Sequence, residues 1–212
     1  MDKLDKSRST LDVSDPVLSQ EPFDCNIFLI GFMGAGKSTV SKALEQNYAL
    51  DVIEMDDIIA RRNHMSIPEI FNTYGEEYFR SEETKLLSEC RGQKSLVVSC
   101  GGGVAMRPVN VEEMKKSGLV VLLTATPSTI LERVEDSHDR PLLENNKTVE
   151  YIQELMEKRR PYYEAAADLV VNTDGRDVFE ICSEIITRTS TLYTAGKPGP
   201  SKQQPEEKMN QE

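Results

Sequence analysis

The residues best suited to chemistry in this chain are Gly31-Phe32-Met33-Gly34-Ala35-Gly36-Lys37-Ser38-Thr39. Their spacing is G-x-x-x-x-G-K-[ST], the pattern of a phosphate-binding loop. Glycines let such a loop turn tightly and aim successive backbone N–H groups at phosphate oxygens. A helix starting at its end adds further donors and a positive dipole end. Gly34, Ala35, Gly36, Lys37, Ser38 and Thr39 are therefore the expected cradle of a nucleoside triphosphate. Lys37 would reach its β- and γ-phosphates, and the Ser38 hydroxyl would ligate Mg²⁺. The bland alternative is a glycine-rich turn after a buried strand.

Other groups have chemistry to offer but admit plainer readings. Glu54-Met55-Asp56-Asp57 follows an apolar run, where open α/β sheets bind ligands. One carboxylate there can hold hydrated Mg²⁺ and another can contact an acceptor hydroxyl. Continued strand alternation would aim Glu54 and Asp56 the same way, but a solvated N-cap fits the spacing equally well. Ser99-Cys100-Gly101-Gly102-Gly103 lets a ligand approach the backbone closely, or is a flexible turn. Arg140 lies in a charged stretch that can close over a nucleotide and offer positive charge, or form an ordinary surface loop. Arg159 and Arg160 precede Pro161 and read as cations at a helix end. Arg80 reads as a solvated or paired mid-helix cation. His64 and His138 are assigned to solvent, and Tyr162-Tyr163 to packing.

These groups need a frame to hold them. Apolar runs at Asn26–Ile30, Asp51–Glu54, Ser95–Ser99, Leu119–Leu123 and Asp168–Val171 alternate with helical stretches. Such alternation predicts a parallel sheet with helices on both faces, a three-layer α/β nucleotide-binding fold. Thr39–Gln46 reads as the helix behind the loop. Ser66-Ile67-Pro68-Glu69 is a capping-box signature opening a helix that Gly75 stops. A second helix over Glu76–Cys90 should bury Tyr78, Leu86 and Cys90 and leave Glu77 and Arg80 off that stripe. Val149–Lys158 should be helical with Ile152, Leu155 and Met156 inward.

Composition narrows the classes. The 212 residues carry a net charge of −11, which argues against nucleic acid as a main partner. No apolar run is long enough to span a membrane. Cys25, Cys90, Cys100 and Cys182 show no zinc or disulfide spacing, and Cys25 and Cys100 read as core residues in a reducing cytoplasm. Residues 1–22 and 195–212 are polar or low-complexity and are expected to be disordered, leaving one domain over 23–194. A monomer is expected.

Taken together, the motifs resemble the shikimate kinase family. The likeness is carried by the Gly31–Thr39 loop, Glu54-x-Asp56, Ser66-Ile67-x-x-Ile70-Phe71 and Gly75-Glu76-x-x-Phe79-Arg80. It continues through Ser99-x-Gly101-Gly102-Gly103 and Arg140-Pro141-Leu142-Leu143 to Arg159-x-Pro161-x-Tyr163. The resemblance implies a five-stranded parallel sheet of nucleoside-monophosphate-kinase type. It also implies transfer of the ATP γ-phosphate to the 3-hydroxyl of shikimate, in the pathway to chorismate and aromatic amino acids. By the same resemblance Asp56, Arg80, Gly101, Gly102, Gly103 and Arg159 hold the acceptor, the two arginines gripping its carboxylate. Asp56 orients or deprotonates the attacking hydroxyl, while Lys37 and Arg140 stabilise the transferring phosphoryl. Ser38 holds Mg²⁺, with Glu54 and Ser99 acting through water. Arg133 stacks on adenine and Arg176 lies across the base. Glu54 departs from the family's usual Asp. Two other readings are a kinase for another hydroxylated metabolite such as gluconate, and a non-catalytic nucleotide-binding module.

Overall fold

A computed structural model describes residues 25–48, 50–134 and 148–196. Five strands form one sheet: β1 (Asn26–Ile30), β2 (Asp51–Glu54), β3 (Leu96–Ser99), β4 (Gly118–Thr124) and β5 (Leu169–Asn172). Their spatial order is β2-β3-β1-β4-β5 and every pairing is parallel. Each strand lies within a residue or two of its expected position. Strands covered on both faces should be apolar throughout, and β1 and β3 are buried along their whole length.

Seven helices connect the strands among the described residues: α1 (Lys37–Tyr48), α2 (Met55–Asn63), α3 (Ile67–Glu89), α4 (Pro108–Ser117), α5 (Pro127–Val134), α6 (Val149–Ala166) and α7 (Val178–Thr194). Strand order reverses about β1. The chain leaves β1 for β2 on one side and later builds β4 and β5 on the other. The carboxyl ends at such a reversal open into a crevice.

Local chemistry explains the helix boundaries. Ser66 and Glu69 form the expected capping box: the Ser66 N–H donates to Glu69 Oε2 at 2.8 Å, and the Ser66 hydroxyl accepts from the Glu69 N–H. Gly75, at φ 82° and ψ 169°, is non-helical and separates α3 into two helical runs, as the sequence predicts. Its second run buries Phe79, Glu83, Leu86 and Leu87, Cys90 is buried just past its end, and Tyr78 is only half-buried. Arg80 lies beside that stripe, and its side chain is only 16% exposed.

Two sequence expectations are corrected. Helix α6 continues through Pro161 to Ala166, so Arg159 and Arg160 stand mid-helix rather than at its end. Proline removes its own N–H bond and crowds the carbonyl four residues back, and packing by the buried Ile152, Tyr163 and Ala166 carries the helix past it. Asp56 lies in the first turn of α2, not on an extended strand end. The strand-to-helix turn, and not strand alternation, aims it. The expected terminus at 1–22 and all of 195–212 except Ala195 and Gly196, together with Arg140 and His138, fall outside the described residues.

Candidate active site

One cleft of about 490 Å³ opens at the carboxyl ends of the strands. The loop after β1 forms its floor. Gly34 and Gly36 adopt φ of 76° and 96°, which suits only glycine and lets the loop wrap tightly into α1. Lys37 donates from Nζ to the carbonyls of Gly31 at 2.9 Å and Phe32 at 3.0 Å, bracing the start of the loop. Ser38 and Thr39 line the cleft beside it.

Carboxylates approach from β2 and α2. Glu54 closes β2 opposite Ser99 in the β2–β3 register, and both line the cleft with Asp56. The Ser38 hydroxyl donates to Glu54 Oε2 at 2.9 Å. Ser38, Glu54 and Ser99 thus present hard oxygen donors on one wall. Such a small oxygen set fits Mg²⁺, which keeps waters and substrate phosphates among its ligands rather than a full protein cage.

Behind Gly102, which lines the cleft, two guanidinium groups stand against the glycine run. A side-chain carbon at Gly103 would stand 2.4 Å from Arg80 Nη1, so the Arg80 plane lies directly against the loop backbone. At Gly102 the same construction meets Arg159 Nη1 at 3.9 Å. Arg159 also sits 5.7 Å above the Phe32 ring. The Tyr163 hydroxyl donates to the Gly102 carbonyl at 2.6 Å and ties the loop to α6. Tyr163 was expected only to pack, and it packs while also fixing this backbone.

Glu83 was not singled out from the sequence. It is fully buried, its Oε2 accepts from Arg80 Nη1 at 2.9 Å, and its Oε1 has no partner among the described residues. That orphan oxygen faces Gly101. Burial pushes the Glu83 carboxyl up to about 7, Asp56 adds to the rise, and Arg80 opposes it. Burial works against the Arg80 charge, yet Glu83 and Glu76 outweigh it and its pKa is raised. A signal for Glu83 did exist in the sequence: it occupies the Phe79, Leu86, Leu87 stripe at helical spacing, where a charge needs a partner.

The far end of the cleft is built from α5 and the β5–α7 turn. Arg133 donates to the Gly34 carbonyl at 3.1 Å and to the Thr173 hydroxyl and carbonyl at 3.0 Å each. Arg176 reaches the Asn172 carbonyl and Glu184. Both line the cleft. Of the site residues expected from the sequence, Gly34, Gly36, Lys37, Ser38, Thr39, Glu54, Asp56, Ser99, Gly102, Arg133 and Arg176 line the cleft. Ala35, Gly101 and Gly103 flank lining residues, Arg80 and Arg159 stand against Gly103 and Gly102, and Arg140 lies outside the described residues.

A family model described as shikimate kinase matches residues 33–190. The chain belongs to the shikimate kinase family. It is 39% identical to the shikimate kinase of Persephonella marina over 77% of this chain and 98% of that relative. It is 41% identical to the one from Geobacter sulfurreducens, over 76% of this chain and 89% of that relative. Among solved structures, shikimate kinase from Acinetobacter baumannii in complex with shikimate is similar, with a TM-score of 0.73 and 30% identity over 82% of this chain and 96% of that one. A gluconokinase from Sinorhizobium meliloti shares the fold at 18% identity and a TM-score of 0.53, over 83% of this chain and 99% of that one. Membership in the shikimate kinase family makes the chain an ATP-dependent small-molecule kinase, and its five-stranded parallel sheet is the P-loop kinase fold.

Proposed function

We propose that this enzyme transfers the γ-phosphoryl group of ATP to the 3-hydroxyl of shikimate. One observation carries the reading: the Lys37 loop and the Asp56, Gly102 wall backed by Arg80 and Arg159 face each other across a single cleft. A triphosphate lies along the Gly34–Thr39 backbone with its γ-phosphate towards Asp56, and Arg133 and Arg176 flank the base. Arg80 and Arg159 offer planar donors to the acceptor's carboxylate. Asp56 then accepts from the ring hydroxyls and orients the attacking one for in-line transfer. Lys37 stabilises charge on the moving phosphoryl group. Ser38, with Glu54 and Ser99 nearby, would hold Mg²⁺, which would supply neutralisation of the phosphate charge.

The glycine run is matched to this task. Its missing side chain at Gly103 leaves room for Arg80, which a larger residue there would push away. The four cysteines are all buried and none is joined in a disulfide, which suits a reducing cytoplasm. No helix among the described residues is long and apolar enough to cross a membrane.

A coupled ADP-release assay tests the assignment. Shikimate with Mg-ATP should give turnover, and gluconate in its place should give only the background rate. Phosphorylation of gluconate without shikimate-dependent turnover would overturn it.

A further inference from the structure

Ser41 stands one helical turn beyond Lys37 on α1 and is completely buried among Val40, Ala43 and Leu44. A hydroxyl in such surroundings requires a hydrogen-bond partner. Its Oγ lies 3.1 Å from the Ser38 carbonyl and in short contact with Glu54 Oε1. Ser41 has one proton to donate, and a carboxylate is the stronger acceptor. The bond to Glu54 therefore dominates.

Glu54 is held at both oxygens. Oε1 is anchored to Ser41 inside the protein, and Oε2 accepts the Ser38 proton at 2.9 Å at the cleft wall. A serine whose proton is committed to a carboxylate turns its oxygen lone pairs elsewhere, here towards the cleft. The partner that accepts from a metal-ligating group fixes its orientation and raises its basicity. An aspartate at this position would be shorter by one methylene, about 1.5 Å, and would fall short of Ser41. The longer side chain and the buried hydroxyl thus work as a pair.

We propose that Ser41 is a positioning residue for the divalent cation of the nucleotide complex. Acting through Glu54, it sets the Ser38 hydroxyl for metal binding and touches neither nucleotide nor acceptor itself. The proposal rests on the reading that Ser38 and Glu54 face the cation.

Calorimetric titration of ADP into the full chain, once with saturating Mg²⁺ and once with EDTA, isolates the metal's contribution as a ratio of affinities. Ser41→Ala should reduce that ratio about 10-fold, the low end of the loss seen for groups that support metal ligands. ADP affinity in EDTA should stay at the wild-type value, which also reports an intact fold. Glu54→Gln should reduce the ratio as well, and Ser41→Ala added to Glu54→Gln should cost nothing further, because coupled residues are not additive. An unchanged ratio in Ser41→Ala, or a full additional loss in the double variant, overturns the role of Ser41. An unchanged ratio in Glu54→Gln alone overturns instead the placement of Glu54 beside the cation.

Discussion

Substituting Gly103 by alanine probes the acceptor end of the cleft without removing a charged group. The new methyl carbon would fall 2.4 Å from Arg80 Nη1 and 2.5 Å from both Cζ and Nη2. Ordinary contact begins at 3.4 Å, so the guanidinium must retreat by about 1 Å. The loop backbone is the stiffer partner, because Tyr163 holds the Gly102 carbonyl at 2.6 Å. Arg80 is therefore the group that moves, sliding along its pairs with Glu76 and Glu83. Misplacing a positioning group by about 1 Å costs roughly 10²-fold, or about 2.7 kcal/mol. Gly103→Ala should accordingly raise the shikimate KM or lower kcat/KM for shikimate about 100-fold. The KM for ATP should stay within about twofold, since the nucleotide end is built from other elements. Initial rates with each substrate varied in turn measure both quantities, and ADP titration gives an independent view of the nucleotide site. Equal losses for both substrates, or an unchanged kcat/KM for shikimate, would refute the reasoning.

Three further outcomes follow from the same geometry. Arg159→Ala should weaken acceptor binding by about 2–5 kcal/mol, because it leaves a carboxylate unpaired in a closed site; shikimate binding at the wild-type affinity would remove Arg159 from the clamp. Asp56→Asn should lower kcat far more than it changes either KM, since hydrogen bonding survives and the carboxylate does not; steady-state rates that match wild type would contradict an orienting or basic role. Glu83 titrates at about 7 in the folded protein against an ordinary 4.5, so the folded state holds this proton more tightly than the unfolded chain. Its contribution to stability is complete below about pH 4.5 and is lost as pH rises through about 7. Between pH 4.5 and 8 the wild type should lose about 3 kcal/mol of unfolding free energy that Glu83→Gln keeps. Urea unfolding curves with the same pH dependence in both proteins would refute the assignment.

Much of the donor half was legible before any coordinates, because its chemistry is local. The loop from Gly31 to Thr39 is one contiguous stretch whose function resides in backbone turns and the helix that follows. Strand positions were equally legible, since strands buried on both faces must be apolar along their length. The capping box at Ser66 and Glu69 is a three-residue contact and needs no distant partner. By contrast, spacing alone left Arg80 and Arg159 as solvated or helix-end cations, and only the family resemblance gave them a role. Their packing on Gly103 and Gly102 joins residues from α3, α6 and the loop after β3, which meet only once the sheet has formed. Proline at 161 pointed to a helix end that the surrounding packing overrides.

The sequence by itself determined a nucleotide-binding α/β protein, because motif, periodicity and charge are properties of neighbours along the chain. Tertiary structure decided the rest. It buried Glu83 with one oxygen orphaned beside Gly101, joined Ser41 to Glu54, and set the Tyr163 hydroxyl on the Gly102 carbonyl. Each of these depends on which groups lose water together, and that is settled by how distant segments pack.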